Sequence, residues 1–119
     1  MQLLLNNKKC IVTGASQGLG KAIAILLAAE QCDLVLVARR KKPLEEVKKF
    51  IQKKYNCNVA TLSIDVTSKN ADTKIKDFAL KQLGTIDVLI NSAGGSRPTT
   101  WDAPESFWKE GMSINFTAL

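Results

Sequence analysis

Histidine is absent from all 119 residues, and the three cysteines, Cys10, Cys32 and Cys57, are odd in number, far apart and never paired as Cys-x-x-Cys. A metal centre built on the usual nitrogen and sulfur donors fails on that count, and so does a disulfide framework. Free cysteine packs as a small hydrophobe, so three semi-buried thiols in a reducing compartment are expected. Long apolar runs are missing as well. Met1-Gln2-Leu3-Leu4-Leu5 gives way to Asn6-Asn7-Lys8-Lys9, too short for the apolar stretch of a secretion signal and far too short to span a bilayer. The reading is a soluble, cytoplasmic chain with no metal and no membrane partner. No repeat, low-complexity tract or linker divides it, and its length suits one domain.

Acidic charge is scarce where basic charge is dense. Residues 39–54 hold Arg39, Arg40, Lys41, Lys42, Lys48, Lys49, Lys53 and Lys54 against only Glu45 and Glu46, a local excess equal to the whole net charge of +6. Val47, Phe50 and Ile51 recur within the stretch at helical spacing. It therefore reads as the solvated face of an amphipathic helix and not as a nucleic-acid footprint.

The apolar pattern alternates between two periods. Strand-like runs fall at 10–12, 34–37, 59–64 and 86–90. Helical patterns lie between them, at about 18–31 with Leu19, Ile23, Leu26 and Leu27 on one face, at about 42–55, and at about 69–83 with Ile75, Phe78, Ala79 and Leu83. A last helix is expected to start near Pro104-Glu105, with Asp102 or Ala103 at its cap and Phe107, Met112 and Ile114 as its apolar contacts. Regular alternation of strand and helix predicts an α/β fold: a Rossmann-like three-layer α/β/α sandwich, the N-terminal half of a doubly wound parallel sheet in strand order 3-2-1-4. A ligand would then bind between the first and fourth strands, at their C-terminal ends.

Two segments converge on that place. Thr13-Gly14-Ala15-Ser16-Gln17-Gly18-Leu19-Gly20 joins the first strand to an alanine-rich helix, and its glycines allow a sharp turn and close approach of backbone N–H groups to a pyrophosphate. The helix N-terminus adds partial positive charge. Asn91-Ser92-Ala93-Gly94 follows the fourth strand. A nucleotide-triphosphate P-loop is ruled out because Ala15 stands where that motif needs glycine, and Ala22 where it needs the Ser or Thr that holds Mg²⁺.

Taken together, Thr13-Gly14-(x)3-Gly18-x-Gly20, Asp65-Val66, Asn91-Ser92-Ala93-Gly94 and Ser113-Ile114-Asn115 resemble the short-chain dehydrogenase/reductase family in order and spacing, over essentially the whole chain. The resemblance implies an NAD(P)-dependent oxidoreductase acting on CH–OH groups. By position, Gly14, Ser16, Gln17, Gly18, Leu19 and Gly20 would contact the phosphates. Asp65 would accept from the adenine amino group beside the backbone of Val66, Asn91 would stabilise the crevice, and Ala93 and Gly94 would line the ribose and nicotinamide. Of the family's active-site residues only the helix asparagine is matched, at Asn115, where it would support a proton relay.

The end of the second strand bears on which cofactor is taken. An acid about 20 residues beyond the glycine loop receives the ribose hydroxyls in NAD sites; here the chain reads Val37-Ala38-Arg39-Arg40. Arginine holds a 2′-phosphate that an acid would repel, so NADP(H) is favoured over NAD(H).

The family's serine and Tyr-x-x-x-Lys are absent. Tyr55, the single tyrosine, precedes the third strand and is followed at the lysine position by Val59. Residues 1–119 are thus expected to form a single, incomplete NAD(P)-binding domain. Two readings stand: the cofactor-binding portion of a carbonyl reductase or alcohol dehydrogenase, with 3-oxoacyl-carrier-protein reductases as the nearest pattern, or a truncated, non-catalytic nucleotide-binding fold. Partners would be a small carbonyl, alcohol or acyl-carrier substrate and no nucleic acid, with homo-oligomers only where a C-terminal half is present. Residues 86–90 are expected to form an exposed apolar sheet edge.

Overall fold

The structure, a computed structural model, describes residues 7–92 and the backbone of 115–118. Its elements are β1 (Lys9–Thr13), α1 (Gly18–Ala29), β2 (Asp33–Ala38), α2 (Lys41–Lys54), β3 (Val59–Ser63), α3 (Ala71–Leu83), β4 (Val88–Asn91) and β5 (Asn115–Ala118). The sheet order is β3-β2-β1-β4-β5. Strands β1 to β4 are parallel, as the alternating periods predicted, and β1 lies at the centre, pairing Val12 with Leu36 on one side and with Ile90 on the other.

The two faces of the sheet carry separate cores, which explains why the strands read as unbroken apolar runs. Cys10, Val12, Leu34, Leu36 and Ile90 pack with Ala24, Leu27 and Ala28 of α1 and with Leu44, Val47 and Ile51 of α2. Ile11, Val35 and Val37, the alternate positions, pack with Ile75 and Ala79 of α3. The result is a three-layer α/β/α arrangement. Opposite the C-terminal strand ends, the N-terminal end of the sheet is tied by polar groups: Lys9 pairs with Asp33, the Lys9 N–H donates to Asp87 at 2.8 Å, and the Asn58 N–H donates to Asp33 at 3.0 Å.

Helix α1 is rotated from the face its leucines suggested. Leu19 and Leu26 are 57% and 63% exposed, while Gly20, Ala24, Leu27 and Ala28 are buried. A side chain at Gly20 would overlap the Gly14 carbonyl and the Ser92 hydroxyl, so the helix start lies hard against two strand ends. That contact sets the helix rotation, and the small residues turn inward. Phe50 of α2 is likewise exposed, Leu44 taking the buried position beside Val47 and Ile51. Phe78 and Leu83 of α3 are only partly buried, against Ile75 and Ala79.

Residues 115–118 depart from the expectation more sharply. Asn115 is not on a helix; it begins β5, which runs antiparallel to β4 with Asn91 opposite Asn115, Ile90 opposite Phe116 and Val88 opposite Ala118. The strand occupies the sheet edge expected to be bare along 86–90. Unpaired N–H and C=O groups on β4 are costly to leave unsatisfied, and β5 satisfies them with Phe116 and Thr117, both strand-favouring types, at its centre. The rest of the predicted last helix, 104–114, lies outside the described residues.

Candidate functional site

The C-terminal ends of β1 and β4 are joined through one threonine. Thr13 is the single buried polar residue among those described, and a buried hydroxyl must find partners. Its Oγ1 donates to Asn91 Oδ1 at 2.7 Å and accepts from the Ser92 N–H at 3.1 Å. The Ser92 hydroxyl donates back to the Thr13 carbonyl. Neither Thr13 nor Ser92 was assigned a role from the sequence. The available signal was a hydroxyl residue ending an otherwise apolar strand.

From Thr13 the chain turns through Gly14 into Ala15, whose N–H donates to the Val37 carbonyl at 3.1 Å and so extends the β1–β2 ladder by one rung. Ser16 is half-buried, Gln17 and Leu19 are exposed, and Gln17 occupies the N-cap of α1 without a side-chain cap bond. Two glycines here have different physical reasons. Gly18 has φ 58°, a left-handed value that costs an L-residue, yet the space around it is open. Gly20 has no room for any side chain. The first turn of α1 carries no acid, so its unpaired N–H groups face the end of the sheet uncompensated.

The neighbouring loop is more strongly electropositive. Arg39 and Arg40 are exposed, Arg40 is the N-cap of α2, and Lys41 and Lys42 form its first turn with neither an acid nor a side-chain cap. Cations at the positive end of a helix are unfavourably placed, and an anion there would relieve them. Pro43 is tolerated because its missing N–H falls where none is needed. The Ser63 hydroxyl donates to the Arg39 carbonyl at 2.9 Å and the Ile64 N–H to the Ala38 carbonyl at 2.9 Å, fixing the Arg39 backbone against the end of β3.

Asp65 stands next along the rim. Its Oδ1 accepts from the Thr67 N–H at 2.9 Å and the Thr67 hydroxyl at 2.6 Å. These bonds, with the Arg39 charge nearby, hold its carboxyl below the ordinary carboxylate value. Asp65 closes a turn but does not cap α3, whose N-cap is Asn70 at φ 64°. Val66 is partly buried against the core beneath α3.

The structure thus brings Gly14, Ser16, Gln17, Gly18, Leu19, Gly20, Arg39, Arg40, Asp65, Val66 and Asn91 to one edge of the sheet, on four consecutive strand ends. Ala93 and Gly94 lie outside the described residues. Tyr55 is at the opposite edge, at the C-terminus of α2. Asn115 stands on β5, and not on the expected helix, as the register partner of Asn91. Among the described residues no group of three His, Cys, Asp or Glu forms a metal site, and no helix is long and apolar enough to cross a membrane.

A parallel sheet with a glycine-rich turn leading into a helix N-terminus at its central strand defines a dinucleotide-binding α/β protein. The family model described as short chain dehydrogenase matches residues 8–119, and the chain belongs to that family. It is 36% identical, over 98% of its length, to an uncharacterized oxidoreductase of Listeria monocytogenes, of which it spans 47%. Among solved structures it resembles a 7α-hydroxysteroid dehydrogenase complexed with NADH and 7-oxo glycochenodeoxycholic acid, at 32% identity and TM-score 0.75, covering 93% of this chain and 43% of that one. It also resembles L-sorbose reductase of Gluconobacter frateurii complexed with NADPH and L-sorbose, at 29% identity and TM-score 0.74, covering 88% and 40%. The chain therefore spans less than half the length of these relatives.

Proposed function

We propose that this chain binds NADP(H) and forms the cofactor-holding part of a reductase or dehydrogenase that interconverts a carbonyl and an alcohol. The observation that carries the reading is the Ala38-Arg39-Arg40 sequence at the end of β2, uncapped and with no acid in the following turn, where an NAD site would present a carboxylate. The residues present suit a dinucleotide. A pyrophosphate would lie over the α1 N-terminus, where Gly20 keeps the backbone bare, and a 2′-phosphate would meet Arg39 and Arg40. Asp65 would hold the adenine amino group through the oxygen that Thr67 does not use. When bound, the nicotinamide supplies the hydride; the chain's own residues position it and neutralise its phosphates. Relatives complexed with NADH and with NADPH both occur, so membership of the family does not choose between them.

Calorimetric titration with NADP⁺ and NAD⁺ tests the reading. The native chain is expected to prefer NADP⁺, and Arg39→Ala to lower that preference by about 1–3 kcal/mol, the value of one charged hydrogen bond. Equal affinity for the two cofactors overturns it.

The second reading, nucleotide binding without turnover, is favoured for the 119-residue chain by itself. Its only tyrosine lies at the far edge of the sheet and no Tyr-x-x-x-Lys occurs, so a bound carbonyl lacks a proton donor. The polypeptide as it stands is expected to bind cofactor but not to consume NADPH with ketones. Steady consumption, abolished by a substitution within residues 1–119, would count against this.

A further inference from the structure

Helices α1 and α2 lie on the same face of the sheet and differ sharply in chemistry. Helix α1 carries one charged residue, Lys21, among its 12, and its outward row is Ala22, Leu26 and Ala29, all exposed, Leu26 by 63%. A helix apolar on its outer as well as its inner face suits cover on both. Positions 43, 46, 47 and 50 of α2 share one stripe at i, i+3, i+4, i+7, and a groove of about 440 Å³ between the two helices is floored by Ile25, Val47 and Phe50. The next row outward on α2 is Lys42, Lys49 and Lys53, all exposed and within about 40° of one another around the helix. Among the described residues none of the three is in an ion pair, and Lys49 and Lys53, one turn apart, repel each other. Glu46 is the one acid lining the groove. Phe50 is 46% exposed, and the Lys54 ammonium stands 5.8 Å from its ring centre.

We propose that this groove is a docking site for an acidic amphipathic helix of a partner protein. The chemistry of the occupant follows from the two walls. Against α1 and the floor it must be apolar, because Ile25, Leu26 and Ala29 offer no polar side chain. Against α2 it must be acidic, because Lys42, Lys49 and Lys53 present a row of unanswered positive charge. Those demands on adjacent flanks describe a helix with an apolar stripe beside a row of aspartate or glutamate, laid into the groove. The walls are 12 and 14 residues long, so about three to four turns of partner lie along them. Phe50 is the anchor, an aromatic side chain at the centre of a charged surround. A flat bilayer does not reach half-buried Ile25 in the floor, and a nucleic-acid backbone gains nothing from Leu26 and Ala29. Lys49, Phe50 and Lys53 belong to the C-terminal half of α2, remote from the strand ends that face the nucleotide.

Fluorescence anisotropy of the full chain with a labelled synthetic helix of about four turns, leucines on one stripe and glutamates along the adjacent flank, tests it. The native chain is expected to bind the peptide. Phe50→Ser should weaken binding about tenfold, the scale of a lost aromatic anchor. Lys49→Gln with Lys53→Gln, which removes charge and leaves the helix propensity of α2 intact, should weaken it about fivefold. Circular dichroism should be unchanged in both variants, and if Phe50→Ser unfolds, the glutamine pair decides. A scrambled peptide of the same composition, lacking the apolar stripe, should bind much more weakly. No binding of the amphipathic peptide overturns the proposal. Equal binding of the scrambled peptide, or full binding by either folded variant, reduces the surface to general charge attraction and overturns it as well. Vesicles of phosphatidylcholine and phosphatidylserine form the last arm: binding to them that both variants abolish reassigns the surface to a membrane.

Discussion

Thr13 and Ser92, 79 residues apart, hold each other through two hydrogen bonds: the Ser92 N–H donates to Thr13 Oγ1 at 3.1 Å, and the Ser92 hydroxyl donates to the Thr13 carbonyl. The pair ties together the C-terminal ends of β1 and β4. Thr13→Val keeps the shape but strands the Ser92 N–H and removes the donor to Asn91. It is expected to cost about 1–3 kcal/mol, and Thr13→Ser much less. Denaturant unfolding of the three proteins checks this, and equal midpoints for the valine and serine variants would remove the hydroxyl from the account.

Gly18 and Gly20 separate a conformational demand from a spatial one. Gly18→Ala meets open space and is expected to cost about 1–2 kcal/mol for its left-handed backbone. Gly20→Ala meets the Gly14 carbonyl, which cannot step aside without moving the glycine-rich turn. It should cost more stability than Gly18→Ala and abolish nucleotide binding. Thermal unfolding with nucleotide titration distinguishes the two, and similar behaviour in both assays would contradict the packing argument.

Asp33 links the N-terminal edge of the sheet to pH. Burial pushes its carboxyl up, but the Lys9 ammonium and the Asn58 N–H outweigh that and hold it below its ordinary 3.8. Lowered in the folded state, the group binds its proton more weakly there than in the unfolded chain. Its contribution is therefore full above the unfolded pKa and lost as pH falls through the folded one. Asp33→Asn is expected to lower stability at neutral pH and to flatten the loss as pH falls below the ordinary carboxylate value of 3.8. Parallel acid profiles for the native chain and the variant would show that the carboxylate is not the source.

The thiols differ in access. Cys10 and Cys32 are fully buried and Cys57 half-buried, and burial pushes all three thiols up from their ordinary value. Since the thiolate is the reactive form, an aromatic disulfide reagent at neutral pH is expected to find Cys57 first, slowly, and the other two only on unfolding. Cys57→Ser should leave no reactive thiol in the native protein. Prompt reaction of that variant would place Cys10 or Cys32 nearer the surface.

Much of this molecule is determined by residues acting locally. The unbroken apolar runs of β1 and β2 demanded cover on both faces, and the alternation with helical periods demanded parallel strands, so the order 3-2-1-4 was legible before any coordinates. The glycines at 14, 18 and 20 marked the turn because backbone geometry at such a turn is a local property. What tertiary structure alone decided are the matters that depend on a distant neighbour. Leu19 and Leu26 looked like a buried face until contact between Gly20 and Ser92 set the rotation of α1. Thr13 gained its role only when Asn91 and Ser92 arrived beside it. Residues 115–118 changed from expected helix to strand because the edge of β4 offered a row of backbone groups to satisfy, a partner that no local propensity records.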